Sequence, residues 1–285
     1  MNPAQLAALT SAVDASFAED LATAGDITTD AVVPVATSID AQIRSRQAGC
    51  IAGVDCIAIA ISRLPESVEV TVLARDGSDV FPGATVAKLT GSARTVLTAE
   101  RTILNILCRL SGIATATAAA VRQTKGYRAV IKDTRKTTPG LRVLEKYAVA
   151  VGGGVNHRFG LYDAVLIKDN HIALAGSIAT AVERARSRYG DAVPLQVEVD
   201  SLAQLEEALR CHVQAVLLDN FTPERLREAV GIVGGRCLTE ASGGVTPANV
   251  REIAAAGVDS ISLGWLTHSA PALDLGLDFA PMSQS

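Results

Sequence analysis

The chain has 285 residues, 48% of them hydrophobic, and a formal net charge of -4. That length favours about two domains with a sizeable core, and that charge argues against a basic face for nucleic acid. No apolar run approaches the ~18 residues of a membrane helix; the longest, Ile51 to Ile61, is broken by Asp55, so no membrane partner is expected either.

In chain order, Met1 to Asp20 carries Asp14, Glu19 and Asp20 and no basic stretch, so it reads as an amphipathic helix and not a signal peptide. Strands are expected at Ile39–Arg46, Val68–Ala74 and Thr85–Thr90, with a turn at Phe81-Pro82-Gly83 between the last two. A helix over Ala99–Leu107 carries Glu100 and Arg101 at its start. This first part is an α+β segment, a layer separate from the remainder of the chain.

From about Arg128 short β-rich runs alternate with helical patterns. The expected strands are Tyr127–Ile131, Ala164–Lys168, Leu195–Val199, Ala215–Leu218, Arg236–Thr239 and Ser260–Leu263. Helices are expected at Ser177–Tyr189, at Leu202–Leu209 behind Ser201, at Pro223–Val230 behind Thr222, and at Pro247–Ala256 behind Thr246, stopping at Gly257. Alternating β and α with nearly continuous apolar strands means parallel strands covered by helices. Six or so such units, none opened by GxGxxG, fit an α/β barrel better than a dinucleotide-binding sheet. Pro271–Ser285 is too short to be a domain and is expected to rejoin the first layer. Cys50, Cys56, Cys108, Cys211 and Cys237 form no Cys-x-x-Cys pair. Neither a disulfide frame nor a zinc site is suggested, and free thiols in a reducing cytoplasm are expected.

Ionisable residues and glycines recur where the strands end, and in a barrel those ends converge on one face. Arg135, Lys136, His157, Arg158 and Lys168 fall within 34 residues. Several cations on a rigid apolar scaffold suit a small ligand with more than one acid group, and His157 could add a hydrogen bond. Ser242-Gly243-Gly244 follows a strand and opens the helix expected from Pro247, and Gly264 follows the last strand. Together these two turns suggest a phosphate cradle. Glu198 and Asp219 end neighbouring strands. They could bind metal, accept hydrogen bonds from ribose hydroxyls, or act as a general acid–base pair. No nucleophile with its base is evident, so transfer would rest on positioning and electrostatics.

Motifs throughout the chain resemble the quinolinate phosphoribosyltransferase family: Gly25-Asp26-Ile27-Thr28-Thr29, Glu100-Arg101-Thr102, Leu110-Ser111-Gly112, Asp133-Thr134-Arg135-Lys136-Thr137, Asn156-His157-Arg158, Leu166-Ile167-Lys168-Asp169-Asn170-His171, Glu198-Val199-Asp200, Leu218-Asp219-Asn220-Phe221, Ser242-Gly243-Gly244 and Leu266-Thr267-His268-Ser269. The resemblance implies an α/β fold in which an N-terminal α/β sandwich (residues 1–110) precedes an incomplete, TIM-like α/β barrel of about six to seven strands (residues 111–269). A tail of residues 270–285 would complete the sandwich. It implies that quinolinate and phosphoribosyl pyrophosphate become nicotinate mononucleotide, pyrophosphate and CO₂, with Mg²⁺, in de novo NAD biosynthesis. By the same resemblance Arg135, His157, Arg158 and Lys168 hold the two carboxylates. Lys136, taken as catalytic with Glu198 and Asp219, lies between acid and pyrophosphate. Glu198 and Asp219 hold ribose hydroxyls or Mg²⁺, and Ser242, Gly243, Gly244 and Gly264 bind the 5′-phosphate. Thr134, Leu263 and Trp265 adjoin these motifs and count with the substrate-binding set. Arg101 would enter the site from the neighbouring subunit of a homodimer. The family often has Ala after the last glycine, where this chain has Trp265.

A paralogue acting on another acceptor, a barrel lyase or isomerase for a phosphorylated sugar acid, and a non-catalytic metabolite binder are the rival readings. The full Arg–Lys–His–Arg–Lys set argues against the first, and the second would need the phosphate cradle but not the dicarboxylate clamp.

Overall fold

A computed structural model describes residues 1–190 and 192–279. The chain gathers into two compact units. One comprises Met1–Ala118, Thr138–Gly153 and the segment from Ala270 onward; the other comprises Ala119–Thr137 and Gly154–Ser269.

The first unit is built on a four-stranded antiparallel sheet in the order Leu275–Phe279, Ser38–Ser45, Thr85–Ser92, Val68–Val72. Ile43 sits opposite both Leu277 and Ala87. The three strands expected here begin within one residue of expectation, because each has alternating polar and apolar residues for a sheet buried on one face. Pro3–Leu21 is a helix capped by Asn2, and its i, i+4, i+8 residues Leu9, Val13 and Phe17 are buried. The helix expected over Ala99–Leu107 is far longer, Ala93–Gln123, 31 residues. By length and composition alone it could cross a membrane, although 56% of its most apolar window is buried inside the structure. Its apolar residues recur at helical spacing with charges between them, so no continuous run betrays its length. The tail crosses this helix at Gly112, where a Cβ would stand 2.1 Å from the Pro271 carbonyl oxygen.

The second unit is a sheet of six parallel strands in the order Val130–Lys132, Ser260–Ser262, Leu238–Ser242, Ala215–Asp219, Leu195–Val199, Val165–Ile167. Val155 adds a single parallel bridge beside Lys132. Chain order runs cyclically around this sheet, as in a barrel that fails to close between Val155 and the Val165–Ile167 strand. On Leu195–Val199 the residues Leu195, Val197 and Val199 are buried. The alternate side chains turn the other way, and that of Gln196 meets Glu240, two strands distant. Lys132, also two strands from Glu240, reaches it too. Side chains from alternate strands thus share one interior layer, which is how a barrel fills its middle. Helices Ile178–Tyr189, Leu202–Arg210 and Pro223–Val233 begin behind Ser177, Ser201 and Thr222, whose hydroxyls accept N–H groups of the first turn.

Two elements depart from expectation. The strand expected at Arg236–Thr239 is Leu238–Ser242, so Glu240 lies within the sheet and not in the loop after it. The helix expected from Pro247 starts only at Val250 and has six residues. Asn249 is the reason: its Oδ1 accepts the Thr246 N–H at 2.8 Å, and its Nδ2 donates to the Gly244 carbonyl at 3.1 Å. These bonds close residues 244–249 into a turn, and the helix-terminus contribution expected at the glycines is withdrawn.

Candidate active site

The carboxyl ends of the parallel strands surround a cavity of about 720 Å³, well within the range of small-molecule sites. Thr134, Arg135, Lys136, His157, Arg158, Lys168, Glu198, Asp219, Ser242, Gly243, Gly244, Gly264 and Trp265 all line it.

The cations are placed by short local bonds. Asp133 is fully buried, and its Oδ1 accepts the His157 N–H at 2.8 Å, tying the first strand's end to the segment that carries Arg158. Thr134 Oγ1 accepts the Lys136 N–H at 3.0 Å. Arg158 donates through Nη1 to the Ala164 carbonyl at 2.9 Å. Burial and the nearby guanidinium of Arg135 push Arg158 below its ordinary range, while Asp163 opposes the shift. Lys168 Nζ pairs with Glu198 Oε2 at 2.8 Å, so one cation is shared with an acid of the neighbouring strand.

The glycine turns show why they are glycines. Gly243 has φ +84°, and a Cβ there would lie 2.2 Å from Asn220 Oδ1. Gly244 follows at φ +59°. Two successive positive-φ residues leave the backbone open to a ligand. A Cβ at Gly264 would meet Lys136 Cδ at 3.0 Å and the His268 ring at 3.2 Å, so the Lys136 chain passes directly over this glycine. Asp219 Oδ2 accepts from Asn220 Nδ2 at 2.7 Å.

Two family models match the chain: the quinolinate phosphoribosyl transferase N-terminal domain over residues 26–111, and its C-terminal domain over residues 113–278. The chain belongs to the quinolinate phosphoribosyl transferase family. It is 43% identical over 269 residues to the probable nicotinate-nucleotide pyrophosphorylase (carboxylating) of Bacillus subtilis strain 168, covering 94% of this chain and 92% of that one. It is 44% identical over 265 residues to the nicotinate-nucleotide pyrophosphorylase (carboxylating) of Mycobacterium leprae, with 91% and 93% covered. The solved nicotinate-nucleotide pyrophosphorylase of Francisella tularensis superposes with a TM-score of 0.91 at 40% identity over 96% of each chain.

Within this phosphoribosyl transferase frame, two expected site residues stand apart from the cavity lining. Leu263 is fully buried, and what it offers is a backbone N–H already given to the Lys132 carbonyl at 3.0 Å. Arg101 belongs to the first unit, where its side chain is 65% exposed and 4.0 Å from Glu100. His157 lines the cavity, but its ring is spent on protein partners: Nδ1 accepts the Arg158 N–H at 2.8 Å and Nε2 lies 3.2 Å from Glu240 Oε1. Both ring nitrogens thus face protein partners.

Glu240, Asn220 and His268 line the cavity without having been singled out. Glu240 was counted among the ionisable strand-end residues but given no role, since a residue placed just after its strand has no inward direction. Asn220 was readable in principle: it holds φ +57°, a conformation asparagine tolerates better than most residues. His268 ends a helix of only four residues, too short for any periodic signal.

Among the described residues no group of three or more His, Cys, Asp or Glu converges as a metal site. Glu198 and Asp219 each already accept a side-chain hydrogen bond. That donor set does not make a cage, but it suits Mg²⁺ that arrives on a polyphosphate, since this ion keeps most of its water and takes one or two protein carboxylates.

Proposed function

We infer that this chain transfers the phosphoribosyl group of phosphoribosyl pyrophosphate to the nitrogen of quinolinate, giving nicotinate mononucleotide, pyrophosphate and CO₂ for de novo NAD biosynthesis. One observation carries the site assignment. Arg135 and Arg158 line one cavity, where burial and then the Arg135 guanidinium disfavour the charge of Arg158, and that cavity also holds the positive-φ turn at Gly243 and Gly244. Two opposed cations are relieved by a ligand with two carboxylates, and the glycine turn takes a phosphate.

Arg135, Arg158 and Lys168 bind the dicarboxylate and fix the ring plane, with His157 as support. Gly243, Gly244, Ser242 and Gly264 take the 5′-phosphate, and Trp265 flanks it. The two substrates are thereby held with the pyridine nitrogen facing the anomeric carbon, which is the main source of rate in such a site. The nitrogen attacks as the bond to pyrophosphate breaks through an oxocarbenium-like state, and Lys136 stabilises the departing charge. The ring nitrogen is then cationic. Its positive charge stabilises the electron pair left on the adjacent carbon when the carboxylate there departs as CO₂, and that carbon uses the pair to take up a proton. Glu198 and Asp219 hold the ribose hydroxyls or a Mg²⁺ brought in with the pyrophosphate, whose charge that ion would neutralise. We propose a homodimer as the working unit, with Arg101 supplied to the site by the neighbouring subunit.

Incubation with quinolinate labelled only in the carboxyl beside the ring nitrogen, phosphoribosyl pyrophosphate and Mg²⁺ tests the reaction. Labelled CO₂ should appear in step with pyrophosphate. Pyrophosphate release that needs no quinolinate, or label retained in the product, would refute it.

A further inference from the structure

The interior layer beneath the cations is built around one carboxylate. Glu240 is 2% exposed. It accepts from Lys132 Nζ at 2.9 Å, from Gln196 Nε2 at 3.3 Å, from the Ser260 hydroxyl at 3.4 Å and, very closely, from the Ser262 hydroxyl. Its remaining neighbour is His157 Nε2 at 3.2 Å. The protonation of that ring is fixed by its other side. His157 Nδ1 accepts the backbone N–H of Arg158 at 2.8 Å, and a nitrogen that accepts carries no proton. The ring proton therefore sits on Nε2, aimed at Glu240.

We propose that Glu240 is a positioning residue: it locks His157 in the Nε2–H tautomer, and through that ring it sets the backbone from which Arg158 reaches the dicarboxylate. The inference rests on the assignment of Arg158 to quinolinate. It makes quinolinate affinity depend on a side chain whose acceptor sites are taken up by protein donors. His157 is gripped at three points, since its N–H is also taken by Asp133 at 2.8 Å. Removing the Glu240 carboxylate frees the ring to flip or change tautomer. The Nδ1 acceptor for Arg158 is then lost, while the glycine turn at 243 and 244, beyond the strand's last residue Ser242, keeps its own bonds. Burial pushes the Glu240 carboxyl up, but the surrounding groups, led by the hydrogen bond with His157, more than reverse this, so the group stays ionised as the lock requires.

Histidine-selective ¹⁵N labelling reads the tautomer directly, and the chain's four histidines can be sorted by loss of one signal in His157→Gln. Wild type is expected to show the Nε2–H form at neutral pH. Glu240→Gln is expected to mix the tautomers and weaken quinolinate binding by about tenfold or more, with binding of phosphoribosyl pyrophosphate changed by less than about twofold, in line with other outer-shell partners of histidine. Ser262→Ala removes one donor and keeps the carboxylate, so it should retain both the tautomer and the affinity. A wild-type ring protonated at Nδ1 would overturn the proposal without any variant. So would a Glu240→Gln protein with an unchanged tautomer and unchanged quinolinate affinity. The underlying assignment fails in a different way: Arg158→Ala would then bind quinolinate normally, while Glu240→Gln still shifted the His157 signals.

Discussion

At the scale of single residues, the cavity is defined by what its charges face. Arg158 meets Arg135 as well as the Ala164 carbonyl, so its guanidinium gains most when an anion enters. Arg158→Ala should therefore weaken quinolinate binding by about 3 kcal/mol, roughly a hundredfold, the value of a charge-assisted pair. Calorimetry reads that loss, and thermal unfolding should move little because Arg158 is not a core residue. Gly243→Ala has the opposite signature. Its φ of +84° and the 2.2 Å approach to Asn220 Oδ1 forbid a methyl group, so the fold should lose about 2 kcal/mol or more in urea and the KM for phosphoribosyl pyrophosphate should rise. Glu240 gives a pH prediction. Its folded pKa is held below the ordinary value of 4.5, so its stabilisation is full above that value and is lost as the pH falls toward the lower one. The stability gap between wild type and Glu240→Gln should accordingly be wide at neutral pH and close on acidification; a gap that does not change with pH contradicts the network drawn around this carboxylate.

Elements were legible where a local signal and a long-range need agreed. Thr222 followed by Pro223 marks a helix start by hydroxyl and by ring geometry, and the structure has Thr222 Oγ1 accepting the Arg225 N–H at 3.3 Å. Thr222→Ala should cost about 1 kcal/mol of stability in denaturant while leaving turnover alone, as caps of this kind do. Leu195–Val199 was legible to the residue because β-branched and apolar side chains alternate between Gln196 and Glu198. The same Thr-Pro logic misled at Thr246-Pro247, because Asn249 offered Thr246 and Gly244 better partners than a helical turn would. The Ala93–Gln123 helix was expected only over Ala99–Leu107; just beyond that stretch Arg109 pairs with the fully buried Glu145 at 2.8 Å, a partner that no local spacing reveals. Most of the cavity's cations could be named from the sequence because Arg and Lys at strand ends have few structural uses. Glu240 could not, since its role depends on Lys132 and His157 meeting it across the barrel interior, and no spacing along the chain encodes that meeting.

At the scale of the molecule, a chain with a net charge of -4 places Arg135, Lys136, Arg158 and Lys168 together where one barrel opens. A local field of that kind selects small polyanions and is weakened by salt. If Arg101 completes the neighbouring subunit's site, two dead proteins should repair each other. Mixing Arg101→Ala with Arg158→Ala after subunit exchange should restore about a quarter of the wild-type sites, since half of the dimers are mixed and one site in each is whole. No recovery would mean that Arg101 acts within its own chain or not at all. The central claim is that two guanidinium groups in one cavity read two carboxylates, and calorimetry with quinolinate and with its single-acid analogue nicotinate tests it most directly. Wild type should prefer quinolinate by at least about tenfold, one extra charged contact, and that preference should vanish in the Arg135→Ala, Arg158→Ala double variant. Equal binding of the two acids by wild type, or an undiminished preference in the double variant, would contradict the account.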